Sequence, residues 1–219
     1  MRTRPVLALS LAASVALAGG AALAAPKPKP APKPKPVCNL VTDVKDDGTG
    51  FVLTDMNYLP NDPQLDILSG DVASDGKTIT GVLRLADLQA SDTSAPTGRT
   101  YYVNFGVGEI ELNLSAAVDA DGTATYAAGF QDTASRAGLG AVTGTLDLAK
   151  KEVRIHAPLS IFSSKAALKP GSKLDYVEGL AQRYVGNRTA GRGVTPSADA
   201  TDPGLGYTVG APSCVVPGK

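Results

Sequence analysis

The chain has 219 residues, 43% of them hydrophobic, with 21 basic and 21 acidic side chains, two Cys, one His and no Trp. That length holds one medium domain, and the supply of His and Cys excludes a metal site built from those ligands. The formal charge of zero hides an asymmetry: once Arg2, Arg4 and the lysines at 27, 29, 33 and 35 are set aside, 15 basic residues face all 21 acidic ones. A body that acidic excludes nucleic acid as a natural partner.

Residues 1–24 read as a signal peptide. Arg2 and Arg4 precede an apolar run, Val6–Ala18, which is too short to span a bilayer comfortably. Ala22-Leu23-Ala24 supplies small residues for cleavage after Ala24. No later stretch is apolar for long enough to cross a membrane, so the expected product is secreted. Residues 25–36, APKPKPAPKPKP, form a Pro/Lys-rich arm that is expected to be extended, since proline fixes the backbone and the lysines repel one another. Such an arm reads equally as a tether that holds the domain near an anionic cell wall and as a solvated tail.

The domain is expected over residues 37–219. VCNLVTDVKDD begins it with a short strand that runs into acid, Phe51–Thr54 reads as another short strand or turn, and Asn57–Pro63 as loop. Pro63–Leu88 is the organising hairpin, with its turn at Ser74-Asp75-Gly76. On its second strand Ile79, Leu83 and Leu85 share a face, Thr78, Thr80 and Arg84 share the other, and Val82 is the exception. A polar loop, Gln89–Gly98, follows.

The alternation then becomes regular. Tyr101, Val103, Phe105 and Val107 share a face, with Tyr102 and Asn104 opposite; Ile110, Leu112, Leu114, Ala116 and Val118 share the next. Turns at Asp119–Gly122 and Ala149–Lys151 separate further strands that carry Tyr126, Phe130, Val142, Leu146, Val153 and Ile155. Leu159–Leu168 reads as a short helix or irregular crossing. Leu174–Tyr184 fits helix and strand about equally, and its neighbours favour strand. Asn187–Gly206 reads as a long surface loop, and Tyr207–Val216 as the closing strand. Period-two patterning with one wet face predicts an all-β fold: a single antiparallel β-sandwich, jelly-roll-like, with its termini joined by a disulfide between Cys38 and Cys214. Closing so long a loop stabilises by roughly 4–5 kcal/mol in the chain-entropy model.

Few residues offer chemistry. His156 is the only histidine, it falls on an outward face, and no G-x-S-x-G accompanies it. Ser74 and Lys77 match S-x-x-K by spacing, but Gly76 places them in a turn rather than on a helix. Carboxylates are plentiful: eight aspartates fall between Asp43 and Asp75, against Lys45 alone. Crowded carboxylates favour a cation between them, and calcium takes six to eight oxygens from such groups. The expected ligands are Asp43, Asp47 and Asp66, with Asp46 and Asp62 in reserve. A solvated acidic rim is the alternative. Tyr102, pointing away from the apolar face, is the best candidate for ligand contact in a chain without Trp.

The segments CNLVTDVKDDG, PQLDILSGDVASDGKTITGVLRLADL, YYVNFGV and GYTVGAPSCV resemble a group of secreted actinobacterial β-sandwich proteins of unknown function. They are also similar to family 9 carbohydrate-binding and DOMON-like modules. The likeness to family 9 modules implies calcium and a sugar site between two Trp, which this chain lacks; the likeness to DOMON-like modules implies haem held by Met and His, for which Met56 and His156 are the only mature candidates. The expected function is a secreted non-catalytic binding or adhesion module, calcium-stabilised and associated with cell-wall polymer or glycan. A carboxylate-dependent hydrolase of wall or extracellular polymers is the alternative.

Overall fold

The computed structural model describes residues 34–48, 51–52, 57–58, 61–91, 98–131, 136–183, 185–187, 192–194 and 197–218. The expected signal peptide, most of the arm and Met56 lie outside the described residues. The strands are β1 (Val41–Thr42), β2 (Phe51–Val52), β3 (Asn57–Tyr58), β4 (Ile67–Ser74), β5 (Thr78–Leu85), β6 (Arg99–Val107), β7 (Ile110–Val118), β8 (Ala124–Gln131) and β9 (Arg136–Ala141). They continue with β10 (Thr143–Asp147), β11 (Glu152–Pro158), β12 (Lys173–Leu174), β13 (Val177–Arg183), β14 (Val185–Asn187), β15 (Arg192–Val194), β16 (Ser197–Ala200) and β17 (Tyr207–Thr208). A five-stranded sheet has the order β1-β4-β5-β11-β10, and a six-stranded sheet the order β16-β13-β6-β7-β8-β9. Every pairing within both sheets is antiparallel.

The predicted all-β antiparallel class and the disulfide are therefore observed. Cys38 and Cys214 are bonded, with their Cα atoms 5.2 Å apart across 176 residues of chain. A parallel bridge between Val37 and Ser213 lies beside them.

The hairpin β4–β5 turns as its residues dictate. Gly76 takes φ +85°, and Asp75 Oδ1 accepts the backbone N–H groups of Lys77 and Thr78 at 2.8 and 2.7 Å. Those bonds favour the ionised carboxylate and hold Asp75 below its ordinary range.

The apolar rows of both sheets enter one core. Ile67, Ile79, Leu83 and Ile155 come from the five-stranded sheet, and Tyr101, Val103, Phe105, Leu112 and Leu114 from the six-stranded sheet; all are at most 1% exposed. Glycine allows the rows to approach closely: a Cβ on Gly81 would lie 3.0 Å from Val103, and one on Gly179 3.0 Å from Leu83. Leu159–Phe162 forms a 3-10 turn that delivers Phe162 edge-on to Phe105, with ring centroids 5.6 Å apart.

Four expectations need correction. Val82 is not stranded on a wet face: Val215 covers it together with Ala73, and the backbone N–H of Gly218 donates to Thr80 Oγ1 at 2.9 Å. The C-terminal tail thus lines the outer side of β5. Asn57 and Tyr58, expected in a loop, pair with Val52 and Phe51. The stretch Asn187–Gly206 is not all loop, because β16 within it pairs with β13 in the six-stranded sheet. The closing strand shrinks to Tyr207–Thr208, with Ser213 joining only through the bridge to Val37. Leu174–Tyr184 contains β13 as expected, and Gly179 sits in it for packing rather than as a helix breaker.

Candidate functional site

The acidic stretch behind β1 folds into a turn around Asp66. Asp46, with φ +71°, donates its backbone N–H to Asp66 Oδ2 at 2.8 Å. Gly48 lies against Asp66 so closely that a Cβ there would come within 2.9 Å of the Asp66 Cα. Asp66 is 0% exposed, and its other oxygen, Oδ1, has no hydrogen-bond partner among the described residues. Burying an ionised carboxylate with an unsatisfied oxygen costs several kcal/mol unless a charge or donors compensate.

Asp199 of β16 reaches the same place from the other sheet. Its Oδ2 accepts the Ile67 backbone N–H at 2.6 Å. Carboxylate oxygens of Asp47, Asp66 and Asp199 all lie within 4.8 Å of one another. Asp47 is exposed while the other two are buried. Burial, aided by the charges of Asp43, Asp47 and Asp66, pushes Asp199 up to about 7. Burial also raises Asp43, against the Val44 N–H bond that lowers it and with Asp47, Asp202 and Asp66 adding repulsion. Asp43 Oδ2 is buried without a hydrogen-bond partner.

Of the expected ligands, then, Asp47 and Asp66 are brought together, and Asp43 stands beside them outside the close triplet. The two reserves are occupied otherwise. Asp62 receives the Arg183 guanidinium, whose Nε lies 2.6 Å from Oδ2, and Asp46 keeps an exposed carboxylate near Lys45 and Asn61. Asp199 was missed because it lies in a Gly/Pro/Thr-rich stretch, and no local pattern marks it. Oxygen donors alone, several of them anionic, suit a hard divalent cation.

A second group occupies the outer face of the six-stranded sheet. Asn104 of β6 is in register with Asn113 of β7 and with Glu178 of β13, and Gly106 is in register with Glu111. Asn104 and Asn113 are only 4% and 7% exposed. The Tyr176 ring lies over Gly106, where a Cβ would come within 2.3 Å of the ring, and its hydroxyl donates to Glu111 Oε2 at 3.0 Å. Burial, with Glu111 nearby, raises the Tyr176 phenol to about 12, and the same two causes raise Glu178. Tyr102 points to this face as expected, opposite Ser115 and Leu180.

The remaining candidates are engaged structurally. His156 Nδ1 is 2.9 Å from Thr80 Oγ1 on the neighbouring strand, and burial, with Arg154 nearby, lowers its pKa. Ser74 Oγ donates to the Thr78 carbonyl and accepts from the Gly76 N–H, so it serves the hairpin turn. No helix among the described residues is long and apolar enough to cross a membrane. Comparison with protein-family models gives no match, and no curated protein matches the chain.

Proposed function

We propose that the protein is an exported, non-catalytic binding or adhesion module, stabilised by calcium, whose target is a cell-wall polymer or glycan. The observation that carries this reading is the outer face of the six-stranded sheet. There the half-buried Tyr102, Glu111, Tyr176 and Glu178 present phenols and carboxylates beside the buried amides of Asn104 and Asn113. Hydroxyl-rich ligands are held by such mixed donors and acceptors, with tyrosine rings as partial substitutes for tryptophan. The disulfide fits an oxidising compartment. A glycan array run alongside turnover assays on wall polymers tests the reading. Binding without turnover, weakened in Tyr102→Ala and Asn113→Ala, is the expected result; a protein that binds none of the polymers contradicts it.

One observation favours a second reading, an extracellular carboxylate-dependent hydrolase. Glu111 and Glu178 are two carboxyls on one face, and burial, with Glu111 nearby, raises Glu178 above its ordinary value. Turnover that disappears in Glu178→Gln would establish this reading instead.

A further inference from the structure

We propose that a calcium ion binds between Asp47, Asp66 and Asp199, with Asp43 beside it, and ties the two sheets together. This rests on the calcium part of the reading above and adds a ligand from the opposite sheet.

The first support is the buried oxygen. Asp66 is fully enclosed, its Oδ2 is satisfied by Asp46, and its Oδ1 has no partner. Buried polar atoms are nearly always satisfied, so an orphan oxygen on a buried carboxylate that is grouped with two others points to a missing positive charge. No Lys or Arg forms an ion pair with Asp43, Asp47, Asp66 or Asp199 among the described residues.

The second support is geometric. Two oxygens that share one calcium at about 2.3–2.6 Å are at most about 5 Å apart, and the three carboxylates have oxygens within 4.8 Å of one another. Gly48 makes the enclosure possible, because any larger residue would push the Asp43–Gly48 turn off Asp66.

The third support is topological. Asp47 follows β1 and Asp66 precedes β4, both in the five-stranded sheet, whereas Asp199 lies in β16 at the edge of the six-stranded sheet. Strand β16 has only four residues, and its register with β13 shifts at Ala181/Gln182. An ion at Asp199 would hold this short edge strand to the body. Calcium is favoured over magnesium because the ligands come from separate segments and two are buried. Magnesium demands near-octahedral geometry and gives up its water reluctantly.

The test is calorimetric titration of the mature full chain, stripped with chelator, with calcium chloride and separately with magnesium chloride, paired with thermal melts. One calcium per chain is expected, with little response to magnesium. A rise in Tm of roughly 5–10 °C is expected at a hundredfold excess over Kd. Asp199→Asn should lose the calcium response. Asp47→Asn, a change at an exposed residue that leaves the core untouched, should weaken or lose it even if the Asp199 variant fails to fold. No heat and no shift in the wild-type chain would overturn the proposal, as would an equal response to magnesium or unaltered calcium binding in Asp199→Asn. Glycan binding that persists without any calcium response would contradict this inference and the calcium part of the reading above, leaving its glycan part; calcium binding without any glycan would leave the inference standing and remove the reading of the outer face.

Discussion

Asp199 accepts a hydrogen bond from the backbone of Ile67 at 2.6 Å, although 132 residues separate them in the chain. That bond joins the edge of one sheet to the first residue of β4 in the other. It also sets the Asp199 carboxylate beside Asp66, the immediate chain neighbour of Ile67.

Gly48→Ala tests how tightly the acidic turn is seated. The added Cβ would lie 2.9 Å from the Asp66 Cα and 3.0 Å from its nitrogen, so backbone rather than a flexible side chain must move. Overpacking of this kind costs about 1–3 kcal/mol. Chemical denaturation in chelator should show that loss, and calcium affinity should fall with it.

Arg84→Ala should be among the more damaging single changes. Arg84 Nη1 lies 2.8 Å from Asp71 Oδ2 and its Nε 2.9 Å from Glu152, while Asp71 is fully buried. Without the guanidinium, the Asp71 carboxylate retains, among the described residues, only the Leu40 N–H at 3.1 Å. Breaking a buried pair from one side costs about 3–5 kcal/mol; the partial exposure of Arg84 argues for the lower end. Arg84→Lys should recover only part, because one ammonium cannot copy a fork that reaches two carboxylates. Urea midpoints for the three chains check the order.

Removing the disulfide through Cys38→Ser and Cys214→Ser together should lower stability by about 2–5 kcal/mol. Both ends of the described fold are joined there, beside the bridge from Val37 to Ser213. Melting with and without reductant, compared with the double variant, measures the effect.

Tyr176 should ionise well above the ordinary tyrosine range. Its phenol is raised from 10 to about 12 by burial and by Glu111, so the folded state keeps this proton after the unfolded chain has lost it. The contribution to stability is therefore complete below pH 10 and is lost as pH rises from about 10 through about 12. Spectrophotometric titration should show a step near pH 12 that Tyr176→Phe removes.

Much of the fold was legible because burial follows period two. Tyr101, Val103 and Phe105, and Leu112, Leu114 and Ala116, are all fully buried on the faces that alternation assigned. What failed was decided by distant partners. Val82 broke the pattern because Val215, from the far end of the chain, covers it. Strand β16 gave no local signal because its pairing with β13 and the bond from Asp199 to Ile67 place it. The candidate site divides in the same way. Asp47 and Asp66 stood out because the acids crowd one stretch, whereas Asp199 did not, since its carboxylate neighbours lie more than a hundred residues upstream. Glu178 was obscured by Gly179, whose backbone is pressed between Leu83 and Ile67.

The most direct measurement is a crystal structure of the mature chain grown with calcium chloride, with anomalous data collected at long wavelength. The expected result is one anomalous peak between Asp47, Asp66 and Asp199, with oxygen contacts of about 2.3–2.6 Å that include Asp66 Oδ1. An ordered site with no such peak, in which the carboxyls bond one another or water, would contradict the metal tie between the sheets.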